Sequence, residues 1–172
     1  MGSVGVGSFI VPYEPTHPAV LRRLKSCGQT LHYPAGDTGR AMSQENVDMV
    51  QRAFEAWNRG DIEGYLAHLS SDVEGVPVGA ALEGKVYRGH DEVRTWWQTQ
   101  SEVWERLLLC AKAFKQVGTA LVVSGHWEAV GRSGVDMSVP ATWVFGFRDG
   151  KIAYWQAYTS RAAALDAVGL RE

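Results

Sequence analysis

The feature that most constrains this chain is a change of apolar period after Arg106. From there to Thr159 apolar residues recur with the two-residue period of strands, in segments read as 107–116, 119–130, 135–148 and 151–159. The pieces between them ("VGT", "GRSG", "DG") are too short for crossovers, so an antiparallel meander is predicted. Asp149-Gly150 is the sharpest signal, because a two-residue type I′ turn needs positive φ at both central positions. If Arg148 pairs with Lys151, then Phe147/Ile152, Phe145/Tyr154, Trp143/Gln156 and Ala141/Tyr158 share one face. Val144/Trp155 and Thr142/Ala157 then take the other. The first face carries more apolar area and is expected to meet the helices, leaving Trp155 and Val144 on an outer face as an apolar patch that a homodimer is expected to cover.

The preceding stretch has a helical period. In "MSQENVDMVQRAFEAWNRGD", Ser43 is expected to cap a helix whose inner face is Val47, Val50, Phe54 and Trp57. Gly60 stops it, and Asp61 caps a short second helix reaching about Leu69, with Tyr65, Leu66 and Leu69 inward. A strand near 73–78 follows. "YRGHDEVRTWWQTQSEVW" reads as a third helix, with Val93, Trp96, Trp97 and Trp104 at core-packing spacing and His90 or Asp91 at its start. Residues 1–41, rich in Gly, Pro and Ser and without sustained period, read as a disordered or loosely packed extension that the rest does not need. Met42 is a candidate start, and 42–172 reads as one domain, the size a single core supports.

Composition excludes several classes of function. Beyond residue 41 the chain carries 13 basic against 17 acidic residues, which is no nucleic-acid footprint. Its apolar runs, such as "LLLCA", are too short to cross a bilayer. No basic segment followed by an apolar stretch opens the chain, so a cytoplasmic location is expected. The two cysteines, Cys27 and Cys110, suggest neither a disulfide framework nor a metal site, and Cys110 reads as a small buried hydrophobe. The five histidines lack zinc-site spacing and no phosphate-cradling glycine loop is present, so neither metal nor cofactor is expected.

Three segments, "AFEAWNRGDIEGYLAHLSSDV", "YRGHDEVRTWW" and "DGKIAYWQAYTSRAAALDAVGL", in this order and spacing, resemble the SnoaL-like branch of the nuclear transport factor 2 superfamily. The resemblance covers about 42–170. It implies an α+β cone: a curved, mostly antiparallel sheet wrapped around three N-terminal helices, a short C-terminal helix, and an apolar cavity open at one end. Ketosteroid isomerases, polyketide cyclases, scytalone dehydratase and limonene epoxide hydrolase share that fold with non-catalytic modules, so fold alone does not choose. The isomerase's oxyanion tyrosine falls on Ala53, its catalytic aspartate on Val76 and its partner acid on Trp143 or Thr142, which excludes steroid isomerisation by that route. Where SnoaL-like relatives often carry an acid after the last strand, Ser160 stands here and reads as the cap of the final helix.

His126 and Glu128, two apart on one strand, form a usable acid–base pair if they face the cavity. The competing face of that strand, Leu121, Val123, Trp127 and Ala129, has the better apolar alternation, and both assignments stay open on the sequence. Tyr65, Trp97, Trp143, Tyr154, Gln156 and Tyr158 are the expected substrate-binding residues, the tyrosines and the amide as polar groups on an apolar wall. Two functions fit. One is a cofactor-free pocket protein that binds a hydrophobic polyketide- or terpenoid-like compound and, in its catalytic form, isomerises, cyclises or hydrolyses it. The other is a non-catalytic module that forms a homodimer through the outer sheet face. A cavity of about 300 Å³ or more favours the first and a filled cone the second.

Overall fold

A computed structural model describes residues 40–170 of the chain. The expectation about the extension at 1–41 falls almost entirely outside that range. Helix α1 (Arg40–Asn58) already runs at Arg40, so Ser43 lies within it rather than capping it. It buries Val50, Ala53, Phe54 and Trp57, the apolar stripe expected from its period. Gly60 takes φ 74° at the stop, and Asp61 caps α2 (Ile62–Leu66) by accepting from Gly64 N at 2.8 Å. Strand β1 (Leu69–Val76) follows. Then comes α3 (Val78–Glu83), not foreseen from the sequence, entered through Pro77 and ended by Gly84 in the left-handed region. A two-residue strand, β2 (Tyr87–Arg88), leads into α4 (Gly89–Val103), where Arg88 N donates to Glu92 Oε2 at 2.7 Å across the first turn.

The meander consists of β3 (Trp104–Val117), β4 (Ala120–Gly131), β5 (Asp136–Arg148) and β6 (Lys151–Tyr158), and α5 (Arg161–Ala167) closes the described chain. The sheet has six strands in the order β2-β1-β6-β5-β4-β3. Among the described strands only the β1·β6 pair is parallel. This is a curved, mostly antiparallel sheet around helices with its edges left open, the α+β cone that was expected. Curvature has visible causes. The β3·β4 register slips between Ala111 and Ala113, and a Cβ on Gly125, opposite that slip, would stand 2.0 Å from the Cys110 carbonyl oxygen, so only glycine permits the approach.

The Asp149-Gly150 turn has positive φ at both residues (50° and 66°), and Arg148 pairs with Lys151 and Phe147 with Ile152 as predicted. One step further the register departs from expectation: Gly146 pairs with Tyr154, Phe145 with Trp155, Val144 with Gln156, Trp143 with Ala157 and Thr142 with Tyr158. Ala153 is the extra residue of a β-bulge. The bulge turns the rest of β6 over, and burial explains it. Ile152, Trp155 and Ala157 all join the main core, whereas an unbroken ladder would expose Trp155 and bury the amide of Gln156. Trp155 is therefore an interior residue.

A second, smaller cluster lies on the opposite face of the sheet, where Ala164 and Leu165 of α5 cover Val122 and Val144. Ser160 caps α5 as expected, accepting from Ala163 N at 3.3 Å. The apolar patch that motivated a homodimer, Trp155 with Val144, is thus absent: one residue is inside the cone and the other lies beneath α5. Among the described residues no helix is long and apolar enough to cross a membrane.

Candidate functional site

Between the helices and the inner face of the sheet lies a cavity of about 400 Å³. Its floor is sheet: Leu107 and Leu109 from β3, Trp127 from β4, Trp143 and Phe145 from β5, Trp155 and Ala157 from β6. Phe54 and Trp57 of α1, Tyr65 of α2 and Trp96 of α4 form the helical wall, and α3 with Tyr87 borders it on another side. Six of the seven tryptophans line it, Trp97 being the exception. The rings brace one another: Trp96 sits 5.1 Å from Trp57 and 5.3 Å from Trp155 between centroids, and Trp57 meets Tyr65 edge-on at 5.3 Å.

Polar bonds place this wall. Trp57 Nε1 donates to the Leu107 carbonyl at 2.9 Å. Beside it the Asn58 amide donates to the Leu109 carbonyl at 3.0 Å and accepts from Leu109 N at 2.8 Å, so the end of α1 acts as a partner to edge strand β3. His90, at the start of α4, approaches the Leu69 carbonyl through Nε2 at 3.2 Å. Gly75 pairs with Trp155, and the indole lies flat on the glycine.

Few lining groups carry ionisable chemistry. Tyr65 is buried, and burial pushes its hydroxyl well above the usual range, so it remains a protonated donor. Among the described residues Glu83 is the one charged side chain in the lining, with no Asp, His, Lys or Arg beside it. Trp155 Nε1 is buried without a hydrogen-bond partner.

Of the expected substrate-binding residues, Tyr65 and Trp143 line the cavity. Trp97 packs half-buried against the core without reaching it. Tyr154, Gln156 and Tyr158 stand on the opposite face because of the bulge at Ala153. There Tyr154 donates to Gln156 Oε1, and burial chiefly pushes the Tyr154 hydroxyl up to about 12. The residues that sequence reasoning missed are Trp57, Trp96, Trp104, Trp127 and Trp155, together with Glu83. Strand parity carried the signal for Trp127, and helical spacing that for Trp57 and Trp96.

The open parity of β4 is resolved as well. Leu121 and Val123 join the main core and Trp127 lines the cavity, so His126 and Glu128 lie on the outer face. They bond each other there, Nε2 to Oε1 at 3.2 Å, and each side chain is 19 % exposed. Cys110 pairs with His126 across the strands, and the three potential ligand atoms lie within 4.8 Å of one another. Cys110 is disulfide-bonded, however, so its sulfur is no thiolate ligand. Cys110 is buried as expected, but its disulfide departs from the reading that the cysteines suggest no such bond.

An open, curved sheet packed against helices around an aromatic cavity is a fold of the nuclear transport factor 2 type. The SnoaL-like domain profile matches residues 50–155, and the chain belongs to that family. No curated protein matches it. Among solved structures, an NTF2-like protein of unknown function from Burkholderia pseudomallei is 23% identical with a TM-score of 0.61, covering 73% of this chain and 98% of its own. A putative polyketide cyclase from Xanthomonas campestris gives the same identity, coverage and TM-score. TerC, co-crystallised with polyporic acid, is 22% identical with a TM-score of 0.61, covering 73% of this chain and 99% of its own. At these identities the likeness is one of fold.

Proposed function

We propose that the chain is a cofactor-free pocket protein that holds a hydrophobic polyketide- or terpenoid-like small molecule inside the cone. The observation that carries this reading is the cavity itself. About 400 Å³ walled by tryptophan exceeds the volume that separates a ligand site from a filled module. The polyketide-cyclase label and the polyporic acid among its structural neighbours are in keeping with it.

Binding is the part of the function best supported. Proton transfer needs a group that exchanges a proton near neutral pH, and the buried wall offers only tyrosine, which its surroundings hold protonated. The outward His126–Glu128 pair cannot reach a ligand in the cavity, so the acid–base role expected of it there is withdrawn. Calorimetric titration with 2-naphthylmethanol, a neutral bicyclic probe, tests the reading. Saturable one-to-one binding with sub-millimolar affinity is expected, and no binding to the folded protein contradicts it.

A further inference from the structure

We infer that the cavity selects a cationic ligand, an organic amine or quaternary ammonium carried on a hydrophobic body. This deepens the proposed function and rests on it. A tryptophan face presents the negative lobe of its quadrupole, and a cavity walled largely by such rings favours a cation desolvated against them. Six tryptophans line this one.

The fixed charges point the same way. Glu83, the one charged side chain of the lining among the described residues, is exposed, so its carboxylate belongs to the open end of the site. It appears in no ion pair among the described residues. An anionic ligand would lose its hydration to enter and, among the described residues, would meet no cationic side chain in the lining, Lys85 standing only at the border, so much of its charge would be buried unpaired at a large cost. A cation would exchange water for ring faces and gain the Glu83 carboxylate. Tyr87, on the border of the same cavity, already carries the Lys85 ammonium 4.4 Å from its ring centroid, so the chain itself shows one cation on an aromatic face here. Beyond residue 41 the surplus of acidic over basic residues, 17 against 13, adds a weak field that draws cations in.

Three probes built on one naphthalene body separate the alternatives: (2-naphthylmethyl)trimethylammonium, 2-naphthylmethanol and 2-naphthoate, titrated calorimetrically into the full chain at pH 7.5. The ammonium probe is expected to bind about tenfold tighter than the alcohol, the naphthoate weakest of all. Glu83→Gln, at an exposed site that folding does not need, should shrink the ratio of ammonium to alcohol affinity several-fold. An ammonium probe no tighter than the alcohol, or a naphthoate tighter than either, overturns the inference while leaving the pocket intact. A ratio untouched by Glu83→Gln removes the carboxylate from the account. If the alcohol fails to bind as well, the pocket reading falls and takes this one with it.

Discussion

Gly75 and Trp155 face each other across the parallel pair β1·β6, and a Cβ on residue 75 would stand 2.6 Å from the indole ring. The ring fills the space that any other residue at 75 would claim. Because Trp155 is 4 % exposed and packs at a tilt against Trp96, with 5.3 Å between centroids, it has nowhere to retreat.

Gly75→Ala should therefore destabilise the fold by about 1–3 kcal/mol through overpacking. Urea unfolding followed by circular dichroism measures it. A variant as stable as the parent would show that the indole does not lie on this strand.

The amide of Asn58 serves both backbone groups of Leu109. Asn58→Ala leaves a donor and an acceptor on β3 without that partner, at a cost of about 1–3 kcal/mol. Asn58→Asp keeps the acceptor but sets a carboxylate oxygen against the Leu109 carbonyl, so it should be no more stable than the alanine variant. Equal stability of all three would mean that α1 and β3 are not joined here.

Acid should weaken the fold in two stages. Desolvation first, then the nearby Lys151 and Arg52, hold His68 below its ordinary value. The unfolded chain thus takes up this proton more readily than the folded one. The His68 contribution is complete above about pH 6.5 and is lost as pH falls through the lower folded value. Below that, Asp72 and Glu63 follow. Hydrogen bonds from Arg148 and Arg94 hold these carboxylates under the usual range, so their contribution is present above about pH 4 and lost on further acidification. Urea midpoints from pH 8 to pH 5 should fall, and His68→Asn should flatten that slope. A midpoint that rises toward pH 5 contradicts the assignment.

Much of the frame was legible in the residues because its signals are local. The Asp149-Gly150 turn, the Asp61 and Ser160 caps and the stripe Val50-Phe54-Trp57 depend on neighbours in sequence, and all appear as read. The site was harder to read because it depends on parity. One inserted residue, Ala153, exchanges the faces of Trp155 and of the set Tyr154, Gln156 and Tyr158. Local alternation cannot report a bulge. Its trace was the spacing of Ile152 and Trp155, two large apolar residues three apart that an unbroken strand cannot bury together. Helix α3 left a fainter trace, Pro77 before it and Gly84 after it.

The central claim, that the tryptophan-walled cavity is the binding site, is tested most directly by the indole N–H resonances of the 15N-labelled protein. All seven tryptophans report, six of them on the cavity, with Trp97 as an internal control. Saturation with 2-naphthylmethanol should shift several cavity indoles, Trp96 and Trp155 among them, and leave the Trp97 signal in place. Cavity indoles unmoved at saturation, or shifts confined to Trp97 and the backbone amides around His126 and Glu128, would contradict it.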